Sequence, residues 1–172
     1  MDRVLYIGKF QPVHYGHKSV IEKLAKKHDE LIIVIGGADC SYTEENIFTT
    51  GERVEMIKKS VDVDFESVYI IPVRDISDNT LWPHHVNKYV PSFHTLYTNN
   101  PFVQRLFIDS GYDVQNIEMV ERNMYSGTKV RSYLKEDNKE KWQELVPDEV
   151  KDIISELNGF KRLQSIQQTD YI

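Results

Sequence analysis

Two histidines three residues apart lie near the start of the chain, in a segment whose residue types suit the binding of an anion. The segment reads Gly8-Lys9-Phe10-Gln11-Pro12-Val13-His14-Tyr15-Gly16-His17. Imidazole N–H groups, together with the unbonded backbone N–H groups at the start of a helix, face negative charge. Gly8 allows a sharp turn and lets a ligand approach the backbone closely. The spacing therefore predicts a loop that holds a phosphate group.

Other interpretations of this segment are tested by spacing alone. A dinucleotide-binding fingerprint requires Gly-x-Gly-x-x-Gly, a pattern that Gly8-Lys9-Phe10 breaks. A P-loop ends in Gly-Lys-Ser/Thr, whereas a histidine separates Gly16 from Lys18 here. A zinc site needs further ligands at suitable spacing, and the chain has one cysteine. Two structural histidines in a turn are the remaining alternative, and the position of the segment directly after an apolar run disfavours it.

Composition limits the class of protein. The length of 172 residues predicts one domain that spans residues 1–172. A formal net charge of −6 disfavours broad nucleic-acid binding, which needs a basic face, but leaves room for a small anionic ligand. The single cysteine, Cys40, is typical of a cytoplasmic protein. The longest apolar run, residues 31–35, is too short to span a bilayer, so we expect no membrane partner.

Short apolar runs alternate with amphipathic stretches along the chain. Strands are predicted over residues 4–7, 31–35, 68–71, 93–97 and 114–119, and helices over residues 18–27, 49–61, 81–89, 100–111, 126–134 and 147–159. Residues 160–172 form a polar tail without a predicted element. The alternation predicts an α/β fold with a parallel sheet covered on both faces. Ligands of such sheets bind beyond the carboxyl ends of the strands, where the histidine segment is expected.

A second motif completes a resemblance to a known family. Residues 8–17 resemble the G-[RK]-F-x-P-x-H-x-G-H signature of the nucleotidyltransferase superfamily, and Ser126-Gly127-Thr128-Lys129-Val130-Arg131 resembles its S-[SG]-T-x-[VI]-R signature. Further segments are similar to those of archaeal-type nicotinamide-nucleotide adenylyltransferases: Phe48-Thr49-Thr50-Gly51-Glu52-Arg53, Asp75-Ile76 with Asn79 and Trp82, Asn99-Asn100-Pro101 with residues 103–107, and Leu145-Val146-Pro147. The resemblance covers residues 3 to about 163 and implies a Rossmann-like nucleotidyltransferase fold.

The resemblance implies adenylyl transfer from ATP to nicotinamide mononucleotide (NMN), which yields NAD and pyrophosphate. The attacking 5′-phosphate has a second pKa of about 6 and is largely ionised at neutral pH, so no general base is required. The protein must instead bring two polyanions together and neutralise charge on the transferring group. A Mg²⁺ ion that bridges the phosphates is implied, without a dedicated cage of protein ligands. The family also implies a homo-oligomer, commonly a hexamer.

Four residues of the two signatures carry the implied catalytic role: His14, His17, Lys9 and Arg131. Both histidines are expected at the ATP phosphates, with His17 at the α-phosphate. Arg131 is expected to pair with phosphate oxygens, and the alternative for it is an exposed helix cation. The other residues expected to bind ATP are Gly8, Phe10, Gln11, Gly16, Ser126, Gly127, Thr128 and Lys129.

The mononucleotide is expected at the loop that follows the third predicted strand. Trp82 would stack on the cationic nicotinamide ring, and a core aromatic is the alternative interpretation of this residue. Asp75 and Asn79 would hydrogen-bond the carboxamide or the ribose, and Gly37 is assigned to the same subsite. This segment disfavours phosphopantetheine, flavin mononucleotide or an alcohol phosphate as the acceptor. Intact His14 and His17 disfavour a non-catalytic nucleotide sensor.

The chain departs from the family pattern at two places. Lys9 stands where many relatives have arginine, so the charge is kept but the planar fork is lost. Glu44 and Glu45 precede the Phe48–Arg53 segment, where relatives often have a basic residue; we expect these acids to point to solvent, pair with nearby cations or contact metal. Arg53 itself is predicted to be a helix-surface cation or a partner of Glu52 or Asp39. Three of the histidines outside the motifs are predicted to be structural or surface groups: His84, His85 and His94.

Overall fold

A computed structural model describes residues 1–118 and 124–168 of the chain. Two compact units are present. Unit 1 comprises residues 1–9, 20–39 and 62–118, and unit 2 comprises residues 10–19, 40–61 and 119–172. The helices in chain order are α1 (Tyr15–Lys27), α2 (Thr50–Ser60), α3 (Trp82–Asn87), α4 (Pro101–Asp109), α5 (Gly127–Lys135), α6 (Lys139–Gln143), α7 (Asp148–Glu156) and α8 (Gly159–Gln167).

Unit 1 contains a five-stranded sheet in which every neighbouring pair is parallel. Its strands are β1 (Arg3–Gly8), β2 (Glu30–Ile35), β3 (Val68–Pro72), β4 (Thr95–Tyr97) and β5 (Asp113–Gln115), in the order β3-β2-β1-β4-β5. The strand order reverses at β1, which pairs with β2 on one side and β4 on the other. Such a reversal opens a crevice beyond the carboxyl ends of the two strands. The predicted α/β fold is confirmed.

The apolar runs of the central strands follow from burial on both faces. Leu5, Ile32 and Leu96 from three neighbouring strands are fully buried with Phe107 of α4. Each such side chain contributes about 1.5–3 kcal/mol to folding through its removal from water. α4 begins as predicted, because the Asn100 side chain accepts hydrogen bonds from the first-turn N–H groups and a proline follows it.

Unit 2 is built from helices that bury a second set of apolar side chains. α2 begins with a capping box: Thr49 accepts from the N–H of Glu52, whose carboxylate accepts from the N–H of Thr49. α2 contacts α7, and α5 contacts α6 and α8. Val130, Leu134 and Ile154 are buried in this unit.

The structure differs from the predicted elements near the end of the chain and at two strands. The helix predicted over residues 147–159 ends at Glu156, because Asn158 adopts a left-handed conformation with φ of 50°. Gly159 then begins α8 inside the supposed polar tail, and a Cβ on it would lie 2.9 Å from Ile154 Cγ2. The short α6 was not predicted. The strands predicted over residues 93–97 and 114–119 are three residues each, and position 119 lies outside the described residues.

Across residues 1–118 and 124–168, every helix is too short or too polar to traverse a bilayer.

Candidate active site

A cavity of about 450 Å³ lies in unit 1. Its lining includes Gly8 and Lys9 at the end of β1, Thr98 just after β4, and Asp75, Asn79 and Trp82 from the predicted third loop. The cavity therefore lies at the carboxyl ends of β1 and β4, where the reversal of strand order predicts a ligand site. A volume of this size is typical of small-molecule sites.

The carboxylate of Asp75 is held in place by the backbone of the loop that follows β2. The N–H of Gly37 donates to Asp75 Oδ1 at 3.1 Å. Gly37 adopts φ of 59°, a conformation that glycine reaches without a steric penalty. Gly37 was predicted to bind the mononucleotide, but it is absent from the described lining of the cavity and contacts Asp75 instead. Its geometry fits a residue that orients the acid.

Trp82 combines the two interpretations offered for it. Its ring is half-buried and packs against the sheet core, and it also lines the cavity. A large aromatic surface backed by the core is a rigid platform for a flat ring. Phe102 lines the same cavity with 54% of its surface exposed. Phe102 was not predicted to line a site; its place two residues after the Asn100 cap, near the carboxyl end of β4, is the weak signal that could have indicated it.

Gly8 and Lys9 were predicted to bind ATP, together with Phe10, Gln11, His14, Gly16 and His17 of the same segment. In the structure both residues line the unit 1 cavity, beside Asp75 and Trp82. The remaining predicted phosphate-binding residues belong to unit 2.

His14 and His17 form a stacked pair in unit 2. Their ring centroids are 3.7 Å apart with an interplanar angle of 22°. The backbone N–H of His17 donates to His14 Nδ1 at 3.3 Å, so the proton of a neutral His14 ring is carried by Nε2. The Nδ1 atom of His17 is buried and makes no hydrogen bond in the described part of the chain. An unsatisfied buried ring nitrogen is costly in a folded protein, and a ligand that bonds to it relieves that cost.

Both imidazoles are uncharged at neutral pH. Burial lowers the pKa of His14 to about 4. Burial also lowers the pKa of His17 well below its usual value, and repulsion by His14 lowers it further. A neutral imidazole still donates one N–H to a phosphate oxygen. A bound polyanion favours the charged form, so phosphate binding is expected to raise both pKa values.

The packing of the pair explains two other residues of the motif. The ring centroid of Phe10, a buried residue, lies 4.7 Å from that of His17. A Cβ on Gly16 would lie 3.0 Å from two ring atoms of His14. Any larger residue at position 16 would displace the imidazole. Both residues were predicted to bind ATP, and the structure places them where they fix the histidine rings.

Gln11 connects three segments of unit 2. Its side-chain amide makes two hydrogen bonds to the backbone of Phe48, one as donor at 2.8 Å and one as acceptor at 2.9 Å. Its own carbonyl oxygen accepts from Arg131 Nη1 at 2.7 Å. The side chain is 2% exposed. Gln11 was predicted to bind ATP, and in the structure its amide group is bonded to protein backbone.

Arg131 is oriented by the start of its own helix. Its Nη2 donates to Thr128 Oγ1 at 3.4 Å, and the Ser126 hydroxyl accepts from the N–H of Lys129 at 3.2 Å as the N-cap of α5. A Cβ on Gly127 would lie 3.0 Å from Arg131 Nη1, so glycine leaves room for the guanidinium. Burial lowers the pKa of Arg131, and the negative charge of Glu45 opposes that shift. The guanidinium remains charged and is partly buried, which does not fit the exposed-cation alternative.

The acidic pair of the second loop is divided. Glu44 forms an ion pair with Lys135 at 3.1 Å and accepts from Gln167 Nε2 at 3.1 Å, so the expectation of pairing with nearby cations is confirmed for it. Glu45 makes no hydrogen bond or ion pair to the residues that the structure describes, and its charge acts on Arg131.

Arg53 is not a surface cation, because its side chain is fully buried. Its Nη2 donates to Thr50 Oγ1 at 3.0 Å. The carboxylate of Glu52 is held instead by Arg162 of α8, through two hydrogen bonds of 2.6 and 2.9 Å. Exposed His84 agrees with its predicted surface role. No group of three metal-ligating side chains occurs within residues 1–118 and 124–168.

Comparisons with known proteins define the class. The family model for cytidylyltransferase-like proteins matches residues 5–133. A bifunctional NMN adenylyltransferase/ADP ribose pyrophosphatase from Francisella tularensis has the same fold, with a TM-score of 0.75 at 19% identity over 96% of this chain and 52% of that one. A nicotinic acid mononucleotide adenylyltransferase from Plasmodium falciparum has a TM-score of 0.62 at 14% identity, covering 94% and 98% of the two chains. Fold and family model together define a nucleotidyltransferase.

Full-length relatives narrow the class further. A nicotinamide-nucleotide adenylyltransferase of Methanoculleus marisnigri is 44% identical over 99% of this chain and 100% of its own length. That of Archaeoglobus fulgidus is 46% identical over 98% and 99%. The chain belongs to the nicotinamide-nucleotide adenylyltransferase family and is therefore an enzyme of NAD biosynthesis.

Proposed function

We propose that this chain transfers the adenylyl group of ATP to the 5′-phosphate of NMN, forming NAD and releasing pyrophosphate. The observation that carries the proposal is the presence, within one chain, of two sites of different chemistry. The unit 1 cavity offers an aromatic platform and hydrogen-bonding side chains, whereas unit 2 offers imidazoles and a guanidinium. The first suits a mononucleotide and the second suits a triphosphate.

The phosphate side of the reaction is assigned to unit 2. His17 Nδ1 is a buried group without a partner in the described residues, and it would bond to an α-phosphate oxygen when it takes up a proton. His14 Nε2 and Arg131 would bond to neighbouring phosphate oxygens, with Arg131 already oriented by Gln11 and Thr128. The backbone N–H groups at the start of α5 would face the terminal phosphates. These donors neutralise charge that develops as pyrophosphate leaves.

The mononucleotide side is assigned to unit 1. Trp82 would stack on the nicotinamide ring, whose positive charge favours an indole face. Asp75 and Asn79 would hydrogen-bond the carboxamide or the ribose, and Lys9 would contact the 5′-phosphate. The acceptor phosphate is largely ionised at neutral pH, so the proposed reaction requires no general base.

A divalent cation is expected to arrive with the nucleotide. The relative from Francisella tularensis was solved with AMP and a manganese ion. We expect this cation to be Mg²⁺, which proteins commonly hold through substrate phosphate oxygens and water. Such an ion would supply further neutralisation of phosphate charge.

We also propose a cytoplasmic location and assembly into a homo-oligomer, with a hexamer as the expected form.

Product formation with a panel of acceptors tests the proposal. The purified chain is incubated with ATP, Mg²⁺ and one acceptor: NMN, its deamidated acid form, flavin mononucleotide or phosphopantetheine. NAD and pyrophosphate are expected from NMN in equal amounts. Product from flavin mononucleotide or phosphopantetheine alone would overturn the assignment of the unit 1 cavity to a nicotinamide nucleotide.

A further inference from the structure

Glu45 is an acidic residue near the proposed phosphate site, and the proposed reaction does not explain why it lies there. It lies in the loop before α2, is exposed, and belongs to unit 2 together with the histidine pair and Arg131. A carboxylate beside a group that binds phosphate opposes the binding of that phosphate. The loop therefore carries a charge of the same sign as the ligand.

The geometry of α5 explains why the charge of Glu45 acts on Arg131. Arg131 and Lys135 are four residues apart on α5 and so project from the same side of the helix. Glu44 binds Lys135 at 3.1 Å and is held there by a second hydrogen bond from Gln167 of α8. This ion pair keeps the next residue of the loop, Glu45, close to α5, and the negative charge of Glu45 acts on Arg131, the cation one turn earlier. Two consecutive acids of the loop thus interact with two cations on successive turns of one helix.

The two acids differ in what their charge does. The charge of Glu44 is neutralised by Lys135 in an ion pair. Glu45 makes no ion pair or hydrogen bond with the described residues, so its carboxylate remains in water and its field acts on Arg131. In the free protein, this field partly cancels the positive potential that Arg131 offers to a phosphate.

We propose that Glu45 is a counter-charge that weakens the binding of ATP and pyrophosphate at Arg131. The inference rests on the proposed function, because it requires that Arg131 binds these phosphates. Binding energy that is equal in the ground state and the transition state does not raise turnover, and it slows the departure of a charged product. A nearby carboxylate lowers such uniform binding for ATP and for pyrophosphate, and it favours release of the latter.

The experiment compares Glu45→Gln with Glu44→Gln. Both variants remove one exposed negative charge from the same loop and keep the size of the side chain. Affinity for pyrophosphate, with and without Mg²⁺, is measured by calorimetry, and the KM values for ATP and NMN are measured by NAD formation. Glu45→Gln is expected to tighten pyrophosphate binding and lower the ATP KM by about two- to fivefold, with no change in the NMN KM. Glu44→Gln is expected to change both by less, because the charge that it alters lies a helical turn, about 5 to 6 Å, farther away.

Ionic strength provides a second criterion. Glu45 is exposed, so the difference between wild type and Glu45→Gln should shrink at about 0.5 M salt. Equal shifts in the two variants would overturn the proposal, because they would indicate an effect of the net charge of the loop rather than a local effect of Glu45 on Arg131. Weaker binding in Glu45→Gln with a greater need for Mg²⁺ would also overturn it, since Glu45 would then bind metal. If the wild type makes NAD and Glu45→Gln binds pyrophosphate with unchanged affinity, the role of Glu45 as a counter-charge is refuted and the proposed function stands. If the wild type makes no NAD, the proposed function itself is refuted.

Discussion

The side-chain amide of Gln11 and the backbone of Phe48 are joined by a pair of hydrogen bonds. Gln11 Nε2 donates to the Phe48 carbonyl at 2.8 Å, and the Phe48 N–H donates to Gln11 Oε1 at 2.9 Å. Both residues are buried, and the carbonyl of Gln11 also receives Arg131. The orientation of Arg131, the arginine proposed to bind phosphate, therefore depends on a glutamine that need not touch the substrate.

Gln11→Glu removes the donor of this pair and places a carboxylate oxygen against the Phe48 carbonyl. We expect the free energy of unfolding at pH 7 to fall by about 1–3 kcal/mol, because a buried acceptor loses its partner. Turnover should fall as well, while the KM for NMN stays unchanged. Urea unfolding and steady-state kinetics measure both effects, with Gln164→Glu on the exposed face of α8 as the control. Unchanged stability in Gln11→Glu would show that the pair contributes little.

Gly127→Ala tests whether Arg131 needs the space beside it. The added Cβ would lie 3.0 Å from Arg131 Nη1 and 3.1 Å from the Gln11 carbonyl oxygen. We expect the ATP KM to rise and turnover to fall through displacement of the guanidinium. Gly51→Ala is a matched control, since nothing lies within 4 Å of a Cβ there in the first turn of α2. That variant should gain roughly 0.5–1 kcal/mol of stability from helix propensity and keep its kinetics. Identical ATP KM values in the two variants would contradict the assignment.

The stacked histidines predict a loss of stability in acid. Burial lowers the pKa of His14 from 6.5 to about 4 in the folded protein. Between these values the unfolded chain binds more protons than the folded one, so the free energy of unfolding falls as the pH falls from 6.5 to 4. The full loss through His14 is on the order of 3 kcal/mol.

His14→Asn should flatten this dependence, because asparagine offers an acceptor near the position of Nδ1 but does not titrate. Urea denaturation at several pH values between 7 and 4 measures the slope. His84→Asn, at an exposed position, is the control. If the slope of the His14 variant equals that of wild type, the low pKa of His14 is wrong.

Trp82→Ala separates the two substrates. The ring lines the unit 1 cavity, so its loss should raise the NMN KM by tenfold or more while the ATP KM changes little; tenfold corresponds to about 1.4 kcal/mol, within the range of aromatic and cation–π contacts. Tyr89→Ala removes a half-exposed aromatic that is absent from the described lining of the cavity and should leave both KM values unchanged. Equal rises in the two KM values for Trp82→Ala would remove the stacking role.

Local rules predicted most of the elements. Short apolar runs identified all five strands, and the helices predicted from residues 49, 100 and 126 begin within a residue of these positions, where Thr49, Asn100 and Ser126 are the N-caps. α8 was missed because its apolar positions are few and its burial depends on contacts made in the tertiary structure. Its Arg162 binds Glu52 of α2, a partner 110 residues away.

The candidate site was predicted less completely than the fold. Motif spacing identified His14, His17 and Arg131 as neighbours of one ligand, and the structure places them in one unit. Spacing does not reveal which side chains turn inward. The burial of Arg53 and the bonding of Gln11 to Phe48 depend on the long-range packing of unit 2. Phe102 was not predicted, because an aromatic residue beside a helix cap is not a motif that indicates a binding site.

The central claim is that the histidine pair takes part in phosphate transfer. The most direct test compares the turnover of wild type and His17→Ala at saturating ATP and NMN. The thermal stability of both proteins is measured in parallel. Loss of a donor to the transferring phosphate predicts a fall in kcat of about 10²–10³-fold. The melting temperature should change by only a few degrees, because the Nδ1 atom of His17 makes no hydrogen bond to the described residues. Wild-type turnover in a folded His17→Ala variant would contradict the assignment of phosphate transfer to the histidine pair.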